Sequence, residues 1–309
     1  VKKNNEVFNK FTYYQFQTLF AFYRNQIPDH MQASFRMDDL YQYKFILPPL
    51  AEQTKIAQFL DDKTTKIEDA IAIKQQQINL LKERKQILIH KAVTRGLEDS
   101  VTLKDSGVEW IGEIPEHWEV NRLKMISSII NGATPSSSVP SFWNGDIVWV
   151  TPTDINDVFI INSSERTITK SGYKSCGTTK VPKGSIVLTT RAPIGKLVIA
   201  GKELCTNQGC KSLVLKEGME TNFIYFQLSI CSDVLNSLGT GTTFMELSNK
   251  VLKNFLIAIP PISEQKEISD YIETASQKIE TVIDLKQREI EKLKEYKSSL
   301  INGVVTGKV

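Results

Sequence analysis

The chain has 309 residues, 41% hydrophobic and 24% charged, with a net charge of +3, the make-up of a soluble protein of about two folded domains. No apolar run approaches the roughly 18 residues that span a bilayer, and the first 30 residues lack the apolar stretch of a signal peptide, so a cytoplasmic protein is expected. The four cysteines (Cys176, Cys205, Cys210, Cys231) form no C-x-x-C pair, which points to buried free thiols and away from a structural zinc or redox centre.

Residues 1–47 carry an aromatic-rich stretch, FTYYQFQTLF, and end in a strand-like run, YKFILPP. The Pro-Pro pair stops that strand, because proline has no N–H for a ladder and fixes φ. Ala51 and the acidic Glu52 then open a helix, with negative charge at the positive end of its dipole. From there Ala57, Leu60, Thr64, Ile67, Ile71, Ile78, Leu81, Leu88 and Ala92 fall on alternating steps of three and four, with no internal Gly or Pro. That spacing is a coiled-coil seam. Lys74 and Lys85 interrupt it, and their long stems are expected to cover the seam while the ammonium groups reach outward.

Residues 98–255 have a different texture. A Ser/Pro loop, GATPSSSVPSFWNG, precedes the strand-like runs DIVWVTP, SIVLTTR, KLVIA and KSLVLK, and NFIYFQLSICSDVLNSL reads as a helix. Short strands bounded by Gly, Pro and Asn predict an α+β globular domain. FLIAIPPISEQ then repeats the earlier grammar. Shifting the sequence by 212 positions aligns residues 11–94 with 223–306 without a gap, and Pro48 to Thr94 shares 20 of 47 residues with Pro260 to Thr306. The second seam is Ser269, Ile272, Ser276, Ile279, Ile283, Ile290, Leu293, Leu300 and Val304, interrupted by Lys286 and Lys297 at the matching places.

The chain is therefore a duplication. The expected order is the tail of a first globular domain (1–47), a first spacer helix (48–97), a complete globular domain (98–255) and a second spacer helix (256–309). About 43 residues at 1.5 Å rise give each rod roughly 65 Å, and the two rods are expected to pair as an antiparallel coiled coil related by a pseudo-two-fold. The first domain is expected to lack its front.

Catalytic constellations are absent from the pattern. His30, His90 and His117 stand in no H-E-x-x-H, GTGTT at Gly239 lacks the setting of a phosphate loop, and no Gly-rich turn is followed by a suitably spaced acidic residue. Asp29 with Glu83 and Lys85 supplies the letters of a Mg²⁺-dependent nuclease. They lie more than 50 residues apart, which disfavours that enzyme. No cofactor or metal is expected.

Charge is unevenly spread. Lys104 to Glu165 holds three basic residues against nine acidic ones, whereas Arg166 to Lys211 holds nine basic residues against Glu203 alone, a net of +8. Duplex DNA binding needs cations to displace counterions from phosphates and polar side chains to read base edges. Lys170, Tyr173, Lys174, Lys180, Lys183, Arg191, Lys196, Asn207, Gln208 and Lys211 are candidates, interleaved with Thr189, Thr190 and Thr206, and Thr240, Thr242 and Thr243 could touch the backbone. Arg191 suits guanine, and Asn207 or Gln208 suits adenine. The structural alternative is a solvated basic face on which Asn207 and Gln208 satisfy local backbone groups.

KAVTRGL, KDSGVEWIGEIPEHWEVNRLK, TTRAPIGKLVIA, TNQGCKSLVL and the twice-written PP(L/I)(A/S)EQ closely resemble the specificity subunit of type I restriction-modification systems, over essentially the whole chain. The resemblance implies a non-catalytic subunit with two target-recognition domains, each reading half of a split DNA site, and two antiparallel helices that set their spacing. It also implies double-stranded DNA, methyltransferase subunits and motor-nuclease subunits as partners. With one recognition domain incomplete, a second copy of the chain is a further expected partner. A coiled-coil scaffold without sequence reading is the alternative function.

Overall fold

The computed structural model describes residues 7–24, 41, 44–156, 158–241 and 245–308. It divides into two compact units, Val1–Glu83 with Lys278–Val309, and Arg84–Gln277.

The first unit holds helix α1 (Asn9–Arg24), the front of helix α2 (Leu50–Arg95) and the rear of a 44-residue helix, α8 (Ile262–Val305). Within it, seam residues Ala57, Leu60, Thr64, Ile67, Ile78 and Ile290 are buried, and Ile71, Leu81, Ile279, Ile283 and Leu293 are half-buried. Lys74 donates to Glu289 at 2.7 Å, Lys286 to Gln77 at 2.7 Å, and Lys297 to Glu68. Partner numbers fall along α8 as they rise along α2, so the helices run antiparallel. Lys74, Lys286 and Lys297 behave as expected: each residue is half-buried and its ammonium group reaches a polar side chain of the facing helix.

Where α8 ends, Tyr14 of α1 packs with Leu60, Ile301, Val304 and Val305. Gln15 of α1 donates to the Val305 carbonyl at 3.5 Å and to the Ile46 carbonyl at 2.7 Å. The fully buried Gln53 of the Pro-Pro motif donates to the Pro48 carbonyl at 2.7 Å and accepts from the Phe8 amide at 2.8 Å. One side chain thus ties the start of α2 to the start of α1.

The second unit contains the globular domain. Its largest sheet has the order β4 (Ser127–Asn131), β11 (Cys210–Leu215), β8 (Ile186–Thr189), β9 (Leu197–Ala200) and β6 (Ile160–Ile161). A three-stranded sheet runs β10 (Cys205–Thr206), β5 (Trp143–Val150) and β7 (Thr167–Ile168). Two pairs complete the strands: β1 (Leu103–Asp105) with β2 (Glu113–Pro115), and β3 (Glu119–Arg122) with β12 (Leu256–Ile259). The four strand-like runs expected within residues 98–255 all lie in this set, as β5, β8, β9 and β11, whereas the strand expected at YKFILPP is not formed over residues 44–49, which pair with no neighbouring strand.

Successive residues of a strand point to opposite faces, and the sheet uses both. Ile186, Leu188, Leu197, Ile199 and Leu213 face a helical core, whereas Val187, Val198, Ala200 and Cys210 face Val148 and Val150 of β5. That helical core is lined by α3 (Leu123–Ile126), α5 (Thr221–Ser229), α6 (Ser232–Ser237), α7 (Asn249–Asn254), the end of α2 and the start of α8. The single helix expected over NFIYFQLSICSDVLNSL is two, α5 and α6. A turn at Ile230 and Cys231 lets Phe226 and Leu228 on one side and Leu235 on the other reach the same core.

The second unit repeats the junction of the first with the numbers of the helix, the Pro-Pro motif and the rod start raised by 212 and those of the rod end lowered by 212. Gln265 donates to the Pro260 carbonyl at 2.9 Å and accepts from the Glu220 amide at 2.9 Å, and Gln227 donates to the Val93 carbonyl at 3.2 Å. Phe226, Ile272, Ile89, Ala92 and Val93 share its core. One addition has no counterpart: Glu264 accepts from the buried Trp118 indole at 3.0 Å and bonds His117 at 2.8 Å. The EHW triplet is therefore bound to the EQ motif. Cys205, Cys210 and Cys231 are buried free thiols and Cys176 is half-buried. Burial pushes the Cys205 thiol up to about 11 and Cys210 to about 12, which keeps both unreactive.

Candidate nucleic-acid interface

Strand pairing in the second unit gathers four strand ends at one edge of the large sheet, with two ends of the three-stranded sheet beside them. Thr189, at the end of β8, stands opposite Cys210 at the start of β11. Lys211 stands opposite Asn131 at the end of β4, and Leu197 at the start of β9 opposite Leu188. In the second sheet Thr206 lies beside Val150 at the end of β5. The connections at these ends carry Arg191, Lys196, Asn207 and Gln208, and this edge also holds Lys211.

Hydrogen bonds lock these connections to one another. Thr190 donates to the Gly209 carbonyl at 2.8 Å, Ala133 to the Thr206 carbonyl at 3.0 Å, Asn207 to the Val150 carbonyl at 3.0 Å, and Leu247 to the Thr190 carbonyl at 2.8 Å. A side chain at Gly132 would collide with the backbone oxygens of Thr206 and Asn207, so that close crossing needs glycine. Two indoles fix the Ser/Pro loop after β4: Trp149 donates to the Ala133 carbonyl at 2.9 Å and Trp143 to Ser136 at 3.1 Å. Trp143 is itself covered by the Arg166 guanidinium 3.6 Å above its ring.

Arg191 is exposed, and its Nε donates to Glu246 at 3.0 Å with a second nitrogen at 3.0 Å from the same oxygen. Glu246 exchanges both backbone bonds with Thr240, at 3.0 and 3.1 Å, which brings Thr240 to the same place. Lys211 is only 5% exposed; its ammonium lies 3.4 Å from the Thr190 hydroxyl and 3.8 Å from Glu246. Burial lowers its pKa, and the nearby Glu246 carboxylate partly restores it. Lys196 is half-buried and reaches the Ile155 carbonyl at 3.4 Å.

Asn207 uses its side-chain oxygen locally, accepting from the Gly209 amide at 2.9 Å, and the exposed Gln208 accepts from the Thr134 hydroxyl. The hydroxyls of Thr189 and Thr190 are turned inward, to the Pro193 carbonyl at 2.6 Å and the Gly209 carbonyl at 3.4 Å, and Thr206 is buried. These three threonines present no hydroxyl to a partner.

The remaining candidates are elsewhere. Lys170, Tyr173 and Lys174 belong to α4 (Lys170–Ser175), where Tyr173 packs on the Trp143 and Trp149 cluster. Lys180 pairs with Glu203 at 2.6 Å beside the start of β10. Lys183 precedes β8, at the end of that strand opposite to Arg191. Thr242 and Thr243 lie outside the described residues, as does Asp29 of the nuclease pattern. Glu83 and Lys85 stand on α2.

The sequence had pointed at the lysine-rich stretch and at GTGTT, yet the same edge carries Thr134, Ser136, Ser137, Ser138, Thr153 and Asn156. All but Asn156 follow from the GATPSSS and VTPTD runs, whose density of small polar residues was the available signal. Such an edge offers two exposed or half-exposed cations, a buried third and a row of hydroxyl and amide groups. These are the donors and acceptors used on phosphates and on base edges. Among the described residues, no group of three or more His, Cys, Asp or Glu side chains is placed to hold a metal ion, and no helix is long and apolar enough to cross a membrane.

The family described as the type I restriction modification DNA specificity domain matches residues 1–83 and 115–295. The specificity subunit of type I restriction enzyme MjaIX from Methanocaldococcus jannaschii is 39% identical over 163 residues, 52% of this chain and 38% of that protein. The putative MjaX specificity subunit of the same organism is 29% identical over 282 residues, 90% of this chain and 62% of its own length. The chain thus spans between about two fifths and two thirds of these relatives. Among solved structures, a chain from a study of complex assembly and conformational transition of the type I R-M system superposes with a TM-score of 0.76 at 18% identity, covering 96% of this chain and 70% of that one. The HsdS subunit from Thermoanaerobacter tengcongensis gives 0.59 at 18% identity, covering 99% and 72%.

Proposed function

The chain belongs to the type I restriction-modification DNA specificity family, and from that premise we propose that it is the non-catalytic subunit through which a cytoplasmic type I complex reads double-stranded DNA. Residues 98–255 read one half-site. Segments 48–97 and 256–309 are the spacer helices, and 1–47 is the closing part of another reading domain. Methyl transfer, ATP hydrolysis and strand cleavage belong to the methyltransferase and motor-nuclease partners, and a second copy of the chain can supply the other half-site. No cofactor is needed by this chain itself.

One observation carries the reading: the sheet edge that brings Arg191, Lys196, Gln208 and Lys211 together with the Thr134 to Ser138 loop, locked by backbone bonds into a single surface. A surface meant only for solvation has no need of five interlocked connections. Reading DNA does need rigidly held polar groups, since base discrimination is geometric.

Docking of methyltransferase subunits on the rods is supported by their sidedness in the first unit. The exposed Ile73, Leu80, Val282 and Leu285 all take heptad positions c or g, which an antiparallel pair places on one flank. Lys66, Lys278 and Lys292 take position c on the same flank, whereas Asp61, Glu68, Glu280, Asp284 and Glu291 take positions e or b on the opposite one. An apolar strip rimmed by lysines suits a helix with an apolar stripe and acidic margins.

Replacing Arg191 with alanine is expected to weaken specific binding by about 1–3 kcal/mol and to relax sequence preference at one position. Electrophoretic competition with a matched non-specific duplex measures both. Unchanged affinity and preference would remove Arg191 from the interface. A scaffold without sequence reading predicts that raised salt abolishes binding to every duplex alike.

A further inference from the structure

Arg191 and Glu246 do not form an ordinary surface ion pair. Both side chains are a little under half exposed, 45% and 40%, so a partner can reach them. Their backbones are also bridged, and Glu246 is bridged again to Thr240, so neither can swing freely. Oxygen Oε2 of Glu246 takes two nitrogens of the guanidinium, Nε and one terminal nitrogen. That contact fixes the plane of the guanidinium and leaves its outer edge, the two terminal nitrogens, free for a second planar partner. Lys211 stands 3.8 Å from the other oxygen, Oε1, too far to saturate its lone pairs.

The pair therefore presents, side by side, a fork of donors and an anionic acceptor. Asp154, on the loop after β5, is used differently: its oxygens take the Thr151 amide at 2.8 Å, the Thr151 hydroxyl at 2.6 Å and the Glu165 amide at 2.7 Å. Glu246 spends its carboxylate on side chains at the interface.

We propose that Arg191 and Glu246 act as one unit that reads a single G·C base pair, an assignment that rests on the DNA-reading function given above. The outer edge of the guanidinium donates to guanine O6 and N7, and Glu246 Oε1 accepts from the N4 amino group of the paired cytosine. In the major groove the cytosine amino group is the only donor of that pair. An A·T pair in the same register turns a thymine O4 toward the carboxylate, and acceptor meets acceptor. A bare phosphate likewise repels it. Glu246 thus raises selectivity by rejecting wrong partners, while Arg191 supplies attraction.

The test uses the full chain with its methyltransferase subunits bound, and a series of duplexes in which each base pair of the selected site is replaced in turn. Glu246→Gln and Arg191→Ala are each expected to flatten the preference at the same G·C position by about tenfold or more, leaving other positions unchanged. Unfolding midpoints are measured in parallel. Should Glu246→Gln fail to fold, Arg191→Lys, which keeps the charge but loses the fork, must relax that same position. The proposal is overturned if Arg191→Ala relaxes a position that Glu246→Gln leaves intact, or if the two act at different positions. If neither variant changes any preference while the chain still binds its site, the placement of Arg191 in the interface fails as well.

Discussion

The junction between a globular helix and the rods is written twice, and the two versions differ in what surrounds them. In the second unit Ile257, Ala258 and Ile259 are buried in strand β12, paired with β3. Their counterparts in the first unit, Phe45, Ile46 and Leu47, are 39%, 56% and 51% exposed and form no strand. The glutamine clamps are nonetheless the same in both. A helical junction closes on its own side chains, whereas a strand needs a neighbour, as β12 has in β3.

The largest break in that comparison is expected from the strand. Ile257→Ala removes a fully buried side chain and should cost about 2–5 kcal/mol, read from urea denaturation. Phe45→Ala at the equivalent place should stay within about 0.5 kcal/mol. Equal losses would mean that residues 44–47 are packed after all.

The clamps should behave alike. Gln53→Leu and Gln265→Leu each strand a buried carbonyl and an amide, and each should cost about 1–3 kcal/mol. Amide exchange at Phe8 and Glu220 should accelerate in the respective variant only. A loss in one unit without the other would show that the surrounding sheet, and not the clamp, holds that junction.

The smallest effect separates the copies by pH. Lys10 and Tyr14 hold the Asp61 carboxyl below its ordinary value, whereas burial lifts its counterpart Glu273, which faces Asn222 at 2.5 Å in place of Lys10. Asp61 therefore contributes stability above the usual carboxylate value, about pH 4, and that contribution is lost as pH falls through its lowered pKa. Glu273 has the opposite sign: its contribution is complete below its ordinary value and is lost as pH rises through the raised one. The opening free energy from amide exchange, corrected for the intrinsic pH dependence, should fall around α1 below about pH 4 and rise around α5 as the pH is lowered toward 4. Asn222→Lys should pull Glu273 down in an NMR titration; an unmoved Glu273 would break the equivalence.

What could be read beforehand follows the range of the interactions. The rods and their seam were legible because coiled-coil packing is periodic within one helix, and every seam position proved buried or half-buried. The repeat was legible for the same reason. Strands β1, β2, β3, β6, β7 and β10 have two to four residues each, too few for a period, and exist through pairing. Gln53 and Gln265 were visible as repeated letters, but their role lies in backbone groups that carry no letter. The gathered strand ends were half legible: a count of basic residues pointed to Arg191 and Lys211, which pairing places there, gave no hint of Thr134 and Ser136, and grouped with them Lys183, which pairing sends to the other end of β8. Charge composition records what a segment contains, and strand register decides which edge receives it.

The crossed bonds at the two junctions have a topological consequence. Gln15, on the helix before the first rod, holds the end of the second rod at Val305, and Gln227, on the helix before the second rod, holds the end of the first at Val93. Each globular helix therefore precedes one rod in the chain and grips the other. The order of helix and rod along the sequence is thus cyclic. A circularly permuted chain that began at residue 98 and joined the end of α8 to the start of α1 would keep every one of these contacts.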